Sequence, residues 1–246
     1  MKKWILIICL AVSFSSCDSV MKALETANET MGTLNTITES EAVNGLKEAL
    51  NFGVDNGTGF LGKTDGFLGN LAYKVLLPQE VQEAEAAIRN NFAANQIAGP
   101  FIDKLVTAMN RGAENAMAEA KPIFITAIRE MSIQDAINIV TGGDGAATSY
   151  LQRVTTSQLR EKFKPVIANS LDKVNAGDPW KKVSTGYNLV MNKNVTTDLD
   201  EYVTERAMVA LFSEILKEEN KIRANPLART TDILKKVFSY ADERKS

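Results

Sequence analysis

The stretch from Pro100 to Tyr150 reads PFIDKLVTAMNRGAENAMAEAKPIFITAIREMSIQDAINIVTGGDGAATSY and carries the longest helical pattern in the chain. Apolar residues recur in it at intervals of three or four, apart from a seven-residue step between Met117 and Phe124. This spacing places them on one face of an α-helix. The apolar positions are Ile102, Leu105, Met109, Ala113, Met117, Phe124 and Ile128. We therefore predict a long helix that begins near Pro100.

A second row of small residues lies beside the apolar row, at every fourth position. Its members are Ala108, Gly112, Ala116 and Ala120. A helix with small residues on one side and large ones on the other lets neighbouring helices approach its backbone and interlock with its side chains. The pattern predicts the centre of a helical bundle. Because Pro122 lies inside it, we expect a kink there or a break near Ala120.

Further helices are predicted from the same apolar spacing together with capping residues, prolines and glycines. They are expected to start near Ser40, after Pro78, at Ile133 after the cap Ser132, after Thr155 with Gln158 as a capping box, at Asp178, after Thr197 and at Thr231. Glycines are expected to end the first of these soon after Gly53. Gly142 should end the helix that starts at Ile133, and Asn225 followed by Pro226 should end the helix that starts after Thr197. Pro165 should bend the helix that contains it.

The organisation of the chain follows from these elements. Residues 41–240 contain no strand pair, fixed repeat or linker, so we predict a single-domain, all-α helical bundle. The other predicted parts are a signal peptide over 1–16, a polar tether over 17–40 and a charged tail over 241–246. An alternative for the tether is a first bundle helix, with Met21, Leu24, Met31 and Leu34 as its apolar positions.

The N-terminal sequence MKKWILIICLAVSFSSC has the layout of an export signal. Its apolar run is shorter than the ~20 residues that a permanent membrane helix needs. The end of the leader, Phe14 to Cys17, resembles the bacterial lipobox, although Phe14 stands where Leu is usual. We predict that Cys17 is lipid-modified and anchors the protein in the bacterial cell envelope, on the periplasmic side or in the outer membrane. The alternative is an ordinary secretory signal cut near Ser16.

Composition excludes several classes of function. Both cysteines, Cys9 and Cys17, lie within the leader and lipobox, so the body has no thiol and no disulfide. The chain also has no histidine, and so lacks the usual general base and nitrogen metal ligand. Without Lys2 and Lys3, 26 basic residues face 30 acidic ones, a net charge of about −4 that argues against nucleic acid as a partner. We predict no cofactor, no metal and no catalytic residue.

The segment from Gly53 to Asn70 contains the tetrapeptide Gly-Phe-Leu-Gly twice. It is rich in oxygen ligands for calcium, but their spacing does not fit an EF-hand loop. We interpret the segment as a connection whose apolar side chains pack onto the bundle while the glycines allow turns. Those side chains are Phe60, Leu61, Phe67 and Leu68.

Seven segments in order along the chain resemble one bacterial family. They are LKEALNFGV, DGFLGN, LLP, NRGAENAMAEAKPIF, MSIQDAINIVTGGDGAATSYL, YVTERAMVALF and IRANPLARTTDILKKVF. The family is the one called domain of unknown function 4197, and the resemblance covers nearly the whole mature chain. It implies an exported, often lipid-anchored, helical protein with no assigned activity. This chain has Asp144 and Gly145 where two acids are expected, so a cation-binding loop would bind less well here.

Two pairs of polar residues are candidate ligand contacts. Arg111 and Glu114 lie three positions apart among small residues, and form either half of a site or a structural ion pair. Asp144 and Thr148 flank the start of a predicted helix, whose free amides could bind an anion. The alternative is a glycine C-cap followed by Asp144 as N-cap.

Three functions remain open at this point. The first is a non-enzymatic helical module that binds or scaffolds a partner in the cell envelope. The second is a carrier that holds a small apolar ligand in the bundle core. The third is a hydrolase that uses carboxylates. The expected partners are the membrane, through the N-terminal lipid, and an envelope protein or an apolar ligand.

Arg223 and Arg229 either bind an anion or compensate a helix C-terminus.

Overall fold

The computed structural model describes residues 38–191, 194–229 and 231–243. These residues form eight α-helices, a short 3-10 helix at Pro226–Ala228 and the turns between them, with no β-strand. The α-helices are α1 Glu39–Gly62, α2 Gln79–Asn90, α3 Phe92–Glu130, α4 Ile133–Thr141, α5 Ala146–Asp172, α6 Gly177–Met191, α7 Leu199–Ala224 and α8 Asp232–Glu243. The predicted all-α fold is confirmed. Cys17, the predicted signal peptide and most of the predicted tether lie outside the described residues.

Helix α3 forms the centre of the molecule, as its two rows of residues predict. Every member of both rows is buried. A Cβ atom added to Gly112 would lie 3.2 Å from Ser170 Cβ and 3.3 Å from Ile167 Cα of α5. The row of small residues is therefore the surface along which the backbones of α3 and α5 come close together.

Helix α3 is longer than predicted and does not break. It starts at Phe92 and continues through Pro100 and Pro122 to Glu130. A proline in a helix leaves the carbonyl four residues earlier without its amide partner. Pro100 and Pro122 are exposed, and so are Gln96 and Ala118, the residues that carry those carbonyls. Because water can reach both carbonyls, the helix continues, and the expected break near Ala120 does not occur.

Helix α1 continues through the glycines that were expected to end it. A Cβ atom on Gly57 would lie 3.5 Å from Ile215 Cγ1 of α7, and one on Gly62 would lie 3.1 Å from Met117 Cβ of α3. Glycine costs a helix about 1 kcal/mol relative to alanine. Here the missing side chains allow α1 to pack closely against two helices, and this contact offsets the cost.

The capping box predicted at Thr155 is wrong. Helix α5 already starts at Ala146, so Thr155 lies two and a half turns inside it, where it is buried. Its hydroxyl donates a hydrogen bond to the carbonyl of Leu151 at 2.6 Å. A threonine hydroxyl that bonds the preceding turn is satisfied inside a helix, so the residue type alone did not mark a helix start.

Other helix ends agree with the sequence to within a few residues. The side chain of Ser132 accepts a hydrogen bond from the Asp135 amide at 3.1 Å, as predicted for the N-cap of α4. Asp198, one residue after the predicted Thr197, caps α7 by accepting from the Glu201 amide at 2.9 Å. Helix α8 extends to Glu243, beyond the predicted end at Phe238.

The connection between α1 and α2 is held against α3. Leu61 and Phe67 are fully buried, as predicted, whereas Phe60 is partly exposed. The Asn110 side chain accepts from the Val75 amide at 2.8 Å and donates to the Val75 carbonyl at 2.9 Å. Among the described residues, no helix is both long enough and apolar enough to cross a bilayer.

Candidate functional site

Arg111 and Glu114 form an ion pair that fixes the connection between α1 and α2. Arg111 Nη1 lies 2.6 Å from Glu114 Oε2, and Arg111 Nη2 lies 2.8 Å from Asp65 Oδ1. The hydrogen bond to Glu114, followed by that to Asp65, raises the pKa of Arg111. Glu114 is buried, and its Oε1 accepts hydrogen bonds from the amides of Phe67 and Leu68, both at 3.1 Å. The pair therefore has structural partners, and its role as a ligand contact stays a prediction.

Thr148 lies at the N-terminus of α5, where a carboxylate of the chain itself occupies the free amides. Glu219 of α7 accepts from the amides of Ala147 and Thr148 at 3.1 and 2.9 Å, and from the Thr148 hydroxyl at 2.7 Å. The N-cap residue is Gly145 with φ 79°, not Asp144, which is exposed. The helix N-terminus does attract an anion, but that anion is Glu219.

Arg223 and Arg229 act on helix C-termini. Arg223 Nε bonds Glu219 at 2.8 Å, and its other nitrogens donate to the carbonyls of Ile139 and Gly142 at the end of α4. Arg229 donates to the carbonyls of Ile222 and Arg223 at the end of α7. Both guanidinium groups also lie 5.6 Å from the ring centroid of Phe238 in α8. These contacts support the interpretation of both arginines as helix-capping residues.

Carboxylate pairs, which a hydrolase without histidine would need, are missing from four pockets formed by the described residues. Each pocket has one acidic residue in its lining. These residues are Glu219, Asp103, Glu85 and Glu114. Each forms an ion pair with an arginine at an N–O distance between 2.6 and 2.9 Å. The described residues also contain no group of three or more metal-ligating side chains.

An apolar groove lies between α2, the N-terminal part of α3, and α6. Each helix contributes a row of residues at three- and four-residue spacing. The α2–α3–α6 groove is lined by Leu77 just before α2, by Val81, Ala84, Glu85 and Ile88 of α2, by Ala98, Phe101, Ile102 and Leu105 of α3, and by Pro179, Trp180, Val183 and Tyr187 of α6. The apolar faces of the three helices surround this space without filling it.

The groove has a buried floor and an exposed rim. Leu105 and Trp180 are 2% and 6% exposed, whereas Phe101 and Val183 on the rim are 40% and 63% exposed. The indole nitrogen of Trp180 donates to the Thr196 carbonyl at 3.0 Å, which orients the ring. The apolar surface of the groove is therefore accessible from solvent and rests on a fixed floor.

A hydrogen bond joins the two sides of the groove. Tyr187 of α6 donates from its hydroxyl to the carbonyl of Glu80 at the start of α2, at 2.9 Å. The groove, which is open along its rim, holds about 230 Å³ of accessible space. The gap beside Glu219 in the core, with about 20 Å³, has room for little more than one water molecule. Of these two apolar spaces, only the groove is large enough for a ligand.

Comparison with known proteins identifies the family. Residues 36–239 match the family model described as "Protein of unknown function (DUF4197)". The chain belongs to the DUF4197 family. A search of curated proteins and a search of solved structures each found no match. This match confirms the resemblance seen in the sequence, and the family description names no activity for this DUF4197 protein.

The sequence of this DUF4197 protein does not predict the groove, although two of the apolar rows that line it are visible there. Trp180, Val183 and Tyr187 share one face of α6, and Val81, Ala84 and Ile88 share one face of α2. In sequence, such rows indicate a buried helix face. In the structure, Val81 is the only buried residue of α2. The unfilled space is a property of how three helices meet, so no single row of residues could predict it.

Proposed function

We propose that this protein is a non-enzymatic, lipid-anchored binding module of the bacterial cell envelope, whose ligand is a small apolar molecule held in the α2–α3–α6 groove. The observation that carries the proposal is the groove itself, with about 230 Å³ of space lined by apolar side chains. Small-molecule sites are concave and mostly apolar, and removing apolar surface from water by binding an apolar ligand is favourable. A ligand of this kind would bury the exposed rim.

The arrangement of acidic residues favours binding over catalysis. General acid–base chemistry without histidine needs a carboxylate that can take or give a proton next to the substrate. The groove contains one carboxylate, Glu85, and Arg89 already bonds it at 2.8 Å. The carrier is therefore better supported than the hydrolase.

The location in the envelope is supported by the leader and by the composition of the body. The segment before Cys17 resembles a lipobox, and no other cysteine follows it. A lipid on Cys17 would hold the domain at a membrane, which is also a source of apolar ligands.

Fluorescence of Trp180 offers a direct test, because Trp4 and Trp180 are the two tryptophans of the chain. In the full chain with Trp4→Phe, Trp180 on the groove floor is the single tryptophan, and its fluorescence can be excited selectively. A nonanol with a terminal bromine quenches tryptophan on contact. We expect saturable quenching at micromolar to millimolar concentrations of the probe, since each buried methylene contributes about 0.8 kcal/mol.

Matched variants locate the binding event. Ala84→Leu and Ala98→Leu add side-chain volume inside the groove. Each should raise the dissociation constant of the probe, read from the quenching curve, at least about tenfold, or roughly 1.4 kcal/mol. Ala87→Leu adds the same volume on the exposed face of α2 and should leave it unchanged. Equal quenching in all three variants, or no saturable quenching in the parent, would contradict the proposal.

A further inference from the structure

We infer that the ligand of the α2–α3–α6 groove is a single alkyl chain whose polar head stays outside and is not recognised. This inference rests on the proposed function and narrows its ligand to one chemical class. It follows from the polar groups of the lining, the dimensions of the groove and the charges beside it.

The polar groups that line the groove have partners within the chain. The Trp180 indole donates to the Thr196 carbonyl, and the Tyr187 hydroxyl donates to the Glu80 carbonyl. A polar head buried in the groove would therefore find no free side-chain donor, and burying an unpaired polar group costs about 1–3 kcal/mol. An alkyl chain has no polar group, so its burial carries no such cost in free energy.

The lining of the groove spans at least seven residue steps on each of its three helices. Its walls run from Val81 to Ile88 on α2, from Ala98 to Leu105 on α3 and from Trp180 to Tyr187 on α6. Seven residue steps of a helix are about 10 Å long. An apolar cavity of about 150 Å³ holds one benzene. By proportion, the 230 Å³ of this groove has room for about nine carbon atoms.

The charged side chains beside the groove are already paired with one another, one guanidinium with two carboxylates. Arg89 lies next to Ile88 and bonds both Glu85 at 2.8 Å and Asp103 at 2.9 Å. An anionic head would have to displace Asp103 from Arg89, and a cationic head would compete with Arg89 for the same two carboxylates. Because the side chains of Arg89 and Asp103 are open to water, an ion pair between either of them and the head is worth less than about 1 kcal/mol, and the alkyl chain determines the affinity.

Competition against the brominated nonanol tests the head group. Nonanol, nonanoate and nonyltrimethylammonium share one tail and carry a neutral, a negative and a positive head. In the full chain with Trp4→Phe, the three should relieve quenching of Trp180 with dissociation constants that agree within about fivefold, or roughly 1 kcal/mol. A larger spread would overturn the inference that the head is not recognised, while the proposed function would stand.

A series of unbranched alcohols from hexanol to dodecanol tests the size of the site. Affinity should rise about fourfold with each methylene up to about nine carbons, since each contributes about 0.8 kcal/mol, and should then level off. A rise that continues unchanged to dodecanol, or no rise at all, would overturn the inference. If no alkyl compound binds saturably, the proposed function fails as well, and the groove would be left for a helical peptide of a partner protein.

Discussion

Among single residues, Glu219 is a buried charged side chain whose removal should destabilise the protein strongly. It is buried and accepts hydrogen bonds from two amides of α5, the Thr148 hydroxyl and Arg223. Glu219→Ala would leave the buried Arg223 without its carboxylate, a change that costs about 3–5 kcal/mol. We expect this loss in the free energy of unfolding by urea, measured by circular dichroism.

A control for this prediction lies on the exposed face of α5. Glu161 is exposed, and Glu161→Ala should change the free energy of unfolding by less than about 0.5 kcal/mol. A loss below about 1 kcal/mol for Glu219→Ala, well under the range for a broken buried pair, would show that water replaces the carboxylate at the start of α5.

A second prediction at this scale concerns the anchor, which lies outside the described residues. Cys17→Ala removes the sulfur that a lipid would modify, so we expect an unprocessed or a soluble protein when cells are fractionated. Cys9→Ala is the matched control, because Cys9 lies inside the apolar run of the leader. It should be processed normally. Recovery of Cys17→Ala in the membrane fraction at the size of the mature protein would contradict the prediction.

At the scale of elements, two glycines of α1 should respond in opposite directions to alanine. A Cβ atom on Gly45 would overlap Val237 Cγ2 of α8, and Val237 is fully buried. Gly45→Ala should therefore push the two helices apart and destabilise the protein by about 1–3 kcal/mol.

Gly59 is the opposite case on the same helix. It is exposed, and a Cβ atom there would meet nothing within 4 Å. Gly59→Ala should stabilise the protein by about 0.5–1 kcal/mol, because alanine is the better residue inside a helix. Urea unfolding of both variants measures the difference. Destabilisation by Gly59→Ala would indicate that α1 ends before this residue in solution.

At the scale of the whole molecule, we predict that the purified mature protein carries no stoichiometric metal and hydrolyses no common phosphate or ester substrate. The reason is compositional, since the chain has no histidine and the mature body no free thiol. Elemental analysis and melting scans with calcium, magnesium and phosphate test this. A bound metal, or a rise in melting temperature that disappears in Asp144→Ala, would instead indicate a ligand site at the start of α5.

Local patterns in the sequence are sufficient to predict the fold class and the central helix. The apolar and small rows of α3 are periodic, and a period needs no knowledge of neighbouring helices. The same holds for Ser132, whose side chain caps α4 through an amide three residues away. Such features depend on contacts within one or two turns of a helix, so local sequence was sufficient to predict them.

Only the packing of the helices determines that α1 and α3 continue through their glycines and prolines, and which group occupies the start of α5. Gly57 stays helical because α7 packs against it, and Pro122 is tolerated because its side of α3 faces water. Glu219 reaches the α5 amides from a position 71 residues away from Thr148. The groove likewise exists because three helices meet without filling the space between them. Each depends on partners distant in the chain, which a local pattern does not specify.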